Sequence, residues 1–70
     1  MKELLPVDRE RIEFLIAAQD LNMAEKNDML RLVKTYIDEG ASMCMTCDPQ
    51  VRAMWRRLAG WYDLYKNKNN

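Results

Sequence analysis

The stretch SMCMTCDPQ, residues 42–50, sets Cys44 and Cys47 three positions apart just before an Asp-Pro pair. Two thiolates at that spacing supply half of a tetrahedral zinc site. The other half is missing, because the chain has no histidine and no glycine follows the second cysteine as it often does in a zinc knuckle. Asp48 with water, or the same pair from a second chain, would have to complete the site, so a zinc held by Cys44 and Cys47 points to a metal-bridged homodimer. A redox pair is the second use, and it asks for a thiolate stabilised by a helix N-terminus. Cys47 stands at such a place, yet the carboxylate of Asp48 opposes the thiolate and no βαβ pattern surrounds the motif. The third reading involves no chemistry. Met43, Cys44, Met45 and Cys47 are small or pliable apolar groups, and free cysteine is among the most buried residue types, so the loop would plug the open end of the fold. That reading needs the fewest additions. Two cysteines in a cytosolic chain also argue against a disulfide framework, since cytosolic thiols are normally kept reduced.

The second constellation is cationic. Arg52 and Arg56 lie one helical turn apart, with Arg57, Lys66 and Lys68 close behind. A last helix carrying Arg52, Arg56, Arg57 and Lys66 could meet phosphate, and three helices ending in a basic one invite comparison with DNA-binding helix-turn-helix proteins. The formal net charge is zero, Asp63 dilutes the stripe, and the preceding loop is longer than a three- or four-residue turn. The alternative is that these arginines are solvated, or pair with Glu10, Glu13 and Asp20 in the acidic part of the chain. Trp55, Trp61 and Tyr62 would stack bases if exposed, but their spacing is that of a core.

These charges are unevenly placed along the 70 residues. Residues 1–39 hold six Lys/Arg against nine Asp/Glu, and residues 40–70 hold five against two. An acidic half is joined to a basic half. No proton-transfer pair, nucleophile–base pair or complete metal site can be assembled, so an enzyme is not expected and no small-molecule substrate is evident. The longest apolar run, Phe14 to Ala18, is far too short to span a bilayer, and the acids of MKELLPVDRE interrupt any signal segment. The expected location is cytoplasmic, in the protein's own cell or a host's.

Three helices must position these groups. Pro6 suits a first-turn position and Asp8 an N-cap, opening a helix over about 7–21 that is apolar on two faces: Ile12, Leu15 and Ile16 on one, Phe14, Ala17, Ala18 and Leu21 on the other. Asn22 with Glu25 forms a capping-box pattern for a second helix over about 23–39, with Met29, Leu30, Val33, Tyr36 and Ile37 as its stripe and Gly40 as a left-handed cap. Asp48 and Pro49 open a third over about 49–66, whose stripe is Val51, Met54, Trp55, Leu58, Trp61, Tyr62 and Tyr65. No segment alternates as a strand does. The fold class is all-α, a compact three-helix bundle in one domain of residues 1–66, followed by a polar tail, 67–70, that should fray in an isolated monomer.

One feature of the third helix has no use in that core. Ala53, Gly60 and Leu64 lie together opposite the aromatic stripe, with Arg57 beside them. Glycine inside a helix costs about 1 kcal/mol relative to alanine, and it is tolerated where a second backbone comes close. A chain this small buries only about 60% of its unfolded surface, so a partner is a natural source of further stability. The expected function is a helical protein–protein interaction or assembly module, docking a protein partner or another copy of itself through this face and the exposed side of the first helix. In its economy and lack of chemistry the chain resembles small accessory proteins of bacteriophages and mobile elements.

Overall fold

A computed structural model describes residues 3–69, and the polar tail's last residue, Asn70, lies outside them. Three helices follow in order: α1 Pro6–Ala17, α2 Met23–Tyr36 and α3 Asp48–Asn69. They form a three-helix bundle with no strand among the described residues. At about 1.5 Å per residue, the 22 residues of α3 span most of the molecule's 35 Å long axis. The two shorter helices pack against it.

Pro6 occupies the first turn of α1, where its missing N–H breaks no bond. The helix stops at Ala17, four residues short of the sequence expectation. Ala18 turns extended, and Asp20 accepts a bond from the Leu21 backbone N–H at 2.9 Å, so turn chemistry outcompetes another helical turn. This extended corner still delivers Leu21 to the core.

The capping box of α2 is complete. Asn22 Oδ1 accepts from the Glu25 N–H at 2.8 Å, and Glu25 Oε1 accepts from the Asn22 N–H at 2.9 Å. The helix ends at Tyr36 rather than 39, without the left-handed cap expected of Gly40, for no glycine has a positive φ. Instead the N–H groups of Ile37 and Asp38 both reach the Val33 carbonyl, and the Asp38 side chain accepts from the Gly40 N–H at 3.0 Å. An aspartate side chain closes this helix.

Helix α3 begins at Asp48, one residue earlier than expected, with the Val51 N–H bonded to the Cys47 carbonyl. Cys47 is therefore the capping position, and Pro49 sits in the first turn. At its other end α3 continues to Asn69, so residues 67–69, expected to fray, are helical. Lys66 and Lys68 favour this extension because cations complement the helix dipole's C-terminal end.

The core is drawn from all three helices: Ile12 and Leu15 from α1, Met29, Leu32 and Val33 from α2, Val51, Met54, Leu58 and Tyr62 from α3, closed by Leu4, Leu21 and Ala41. Leu32 is fully buried although the stripe read from the sequence omitted it. Trp61 stacks between Tyr36 and Tyr65, at centroid distances of 5.8 and 5.5 Å, and this aromatic stack joins α2 to α3. Between α1 and α2, Arg11 bonds Asp28 at 2.8 Å, and Arg31 touches both Asp28 and Asp8. Such partly exposed pairs contribute a few tenths of a kcal/mol each and chiefly fix register.

Candidate functional site

The cysteine loop holds the most specific chemistry in the sequence. Cys44 and Cys47 are joined in a disulfide, which corrects the expectation of reduced thiols packed in a loop. The cause is local. The Cys47 N–H bonds the Cys44 carbonyl at 3.2 Å, and this turn brings the two Cα atoms to 5.2 Å, inside the range a disulfide bridges. Among the described residues no group of three or more Cys, Asp or Glu side chains gathers within one chain to hold a metal ion. The loop is also tied down by its neighbours. Lys26 Nζ donates to the Met45 carbonyl at 3.1 Å, and the Cys44 N–H donates to Gln50 Oε1 at 3.0 Å.

The four cations proposed to meet phosphate do not form one surface. Arg52 and Arg56 line a groove of about 730 Å³ between the α1–α2 corner and the start of α3, shared with Lys26, Trp55, Asp20 and Asp48. Arg57 lies round the helix on the α2 side and pairs with Asp38 at 3.5 Å. Lys66 lies with its Nζ 5.2 Å from the Tyr62 ring centroid. A single residue step turns a helix by about 100°, which is why Arg56 and Arg57 part company. Of the six arginines, Arg9, Arg11, Arg31 and Arg57 each meet a carboxylate. Arg52 and Arg56 have no carboxylate partner among the described residues, and in particular do not pair with Glu10, Glu13 or Asp20. The aromatic groups are committed elsewhere: Tyr62 is fully buried, and the Trp55 indole N–H donates to the Leu15 carbonyl at 2.9 Å.

Ala53, Gly60 and Leu64 are all exposed on the outer face of α3, as the helical spacing predicts. Leu64 is 71% exposed. A methyl group built at Gly60 would meet nothing within 4 Å, so no contact inside the chain requires a glycine there. Helix α1 presents a comparable outer face. Val7 is 69% exposed and Phe14 51%, with the Arg11 guanidinium over one side of the Phe14 ring at 5.0 Å. Glu10 is exposed between them.

Two tyrosines lock the helices together and set a pH limit. Tyr62 donates to Glu13 at 2.5 Å and accepts from Arg9 Nε at 3.0 Å; Tyr36 donates to Asp8 at 2.5 Å. Burial first, and the bond each donates to a carboxylate second, hold both hydroxyls above the ordinary tyrosine value of 10.0. The folded chain keeps these protons at pH values where the unfolded chain releases them. Their contribution is complete below about pH 10 and is lost as pH rises through the folded-state values. Urea midpoints should therefore fall as pH rises above about 10, and the Tyr36→Phe, Tyr62→Phe double variant should flatten that fall. An equal slope in the variant would remove these hydroxyls from the alkaline limit.

Among the described residues no helix is long and apolar enough to cross a membrane. No protein-family model, curated protein or solved structure matches the chain, so its fold and surfaces stand alone as the guide to what it does.

Proposed function

We propose that the chain is a small, non-enzymatic helical module for protein–protein interaction or assembly, docking through the outer face of α3 formed by Ala53, Gly60 and Leu64 with Arg57 at its edge. One observation carries this reading: Gly60 stands mid-helix with open space around it, one turn from an apolar side chain that is 71% exposed. Alanine there would stabilise the isolated chain, so the glycine has a use only if something outside the chain approaches the backbone closely. Of the four cations read for nucleic-acid contact, Arg57 is paired with Asp38, and Arg52 and Arg56 share their groove with Asp20 and Asp48.

Gly60→Ala should raise the stability of the monomer by about 1 kcal/mol in urea unfolding. Gly60→Leu should leave the fold intact and block close approach. A photo-crosslinking side chain placed at position 64 in cells should give adducts of discrete mass, and Gly60→Leu should abolish them. Absence of adducts at position 64, or adducts indifferent to Gly60→Leu, would count against this face.

A further inference from the structure

The Cys44–Cys47 bridge has the placement of a reversible redox pair, and we infer that the chain exchanges it with low-molecular-weight thiols and disulfides, through attack at Cys44 and release of Cys47. The bridge joins residues only three apart in sequence. A loop that short removes little freedom from the unfolded chain, so the bridge adds little to the fold, and by the same linkage the fold does little to hold the bridge closed. The turn does not depend on it either. The Cys47 N–H bonds the Cys44 carbonyl, the Cys44 N–H bonds Gln50 Oε1, and Lys26 Nζ bonds the Met45 carbonyl, none of them through sulfur. On the two sides of the turn, Met43 packs against the core and the Cys47 carbonyl accepts from the Val51 N–H of α3. Opened thiols are thereby kept in a turn whose Cα separation of 5.2 Å lets the same bridge re-form.

Access and polarity complete the case. Both cysteines are half-buried among the exposed residues Ser42, Thr46 and Asp48, so a small thiol reaches them, and accessible bridges are the labile ones. The two sulfurs are not equivalent. Cys47 stands at the capping position of the 22-residue α3, where unsatisfied N–H groups and the helix dipole favour a thiolate, against partial opposition from the Asp48 carboxylate. Cys44 lies outside the helix, with the Thr46 hydroxyl 3.5 Å from its sulfur. Cys47 is therefore the better leaving sulfur. An incoming thiolate bonds Cys44 Sγ, the bond between the two protein sulfurs breaks, and its electron pair leaves on Cys47 Sγ. A second small thiolate then attacks the sulfur of the first, which releases a small disulfide and the Cys44 thiolate. Two small thiols are oxidised, and the chain gains two electrons and two protons. A small disulfide runs the same steps backwards.

Equilibration of the full chain, without air, in buffers of stepped reduced-to-oxidised glutathione ratio tests the exchange. After acid quenching and labelling with N-ethylmaleimide, intact mass should pass from the unlabelled bridged chain to the doubly labelled dithiol, along one curve from either starting form. The dithiol and the Cys44→Ser, Cys47→Ser double variant should keep the circular dichroism of the bridged chain. With limiting iodoacetamide near neutral pH, peptide mapping of the dithiol should show Cys47 alkylated several-fold faster than Cys44, and Asp48→Asn should widen that ratio. A bridge that persists in reduced glutathione alone, or a dithiol that stays open in excess oxidised glutathione, would overturn the exchange. Loss of helical signal on reduction would make the bridge a structural staple and overturn it as well. Cys44 alkylated first would overturn Cys47 as the released sulfur.

Discussion

Leu58→Ala should bring the chain close to unfolding at room temperature. Leu58 lies midway along α3 with no solvent exposure, on the side of the helix that closes the core formed with α1 and α2. Truncating a buried leucine costs about 2–5 kcal/mol, the spread depending on how far the cavity collapses. A chain of 70 residues has a total stability on the order of 4–10 kcal/mol at about 0.05–0.15 kcal/mol per residue. The loss is thus a large fraction of the whole. Each kcal/mol lowers the melting temperature of a domain this size by about 4–8 °C, so the variant should melt on the order of 8–40 °C below the parent. Leu58→Met keeps the volume and should cost less than about 1.5 kcal/mol. A small shift for alanine, equal to that for methionine, would mean that the core does not close around this residue.

The elements that were legible in the sequence are those announced by local chemistry. Asn22 and Glu25 marked a helix start because a capping box needs only residues three apart, and the α3 stripe was legible because seven apolar positions repeat at about 100° per residue. The outer face of α3 followed from the same arithmetic, which is why Ala53, Gly60 and Leu64 emerged exposed together. Helix ends were not legible. Asp20, Asp38 and Thr35 have side chains that bond nearby backbone groups, and periodicity is blind to such competition. Gly40 shows the same limit from the other side, since an aspartate two residues earlier closes the helix and leaves the glycine nothing special to do. The Cys44–Cys47 bridge depends on a turn that brings the two Cα atoms to 5.2 Å, which an argument from compartment does not reveal. The separation of Arg57 from Arg52 and Arg56 was implicit in the helix angle, but its pairing with Asp38 depends on how the loop after α2 folds back.

Asp8 has the residue type of a helix cap but is a buried acceptor, and its replacement is the second large effect. It is 8% exposed, held between α1 and α2 by the Tyr36 hydroxyl at 2.5 Å and by Arg31 at 3.5 Å. The helix start is instead supplied by Pro6, which leaves the aspartate free to face inward. Asp8→Ala removes the acceptor of a tyrosine hydroxyl that also receives the Leu5 N–H at 3.4 Å. Hydrogen bonds to a charged group contribute about 1.5–3 kcal/mol, and the stranded hydroxyl must be desolvated without return. A loss of about 2–3 kcal/mol is expected, read as a lower urea midpoint at unchanged slope. Asp8→Asn keeps an acceptor oxygen and should lose about half as much. Tyr36→Phe separates the two causes. If Asp8 acts through that hydroxyl, alanine should cost less in the Tyr36→Phe background, by a coupling of about 0.5–3 kcal/mol. Strict additivity would instead assign the loss to Arg31 and to the packing of the carboxylate itself, and the α1–α2 contact would then be governed by the chain of ion pairs through Asp28 rather than by the tyrosine.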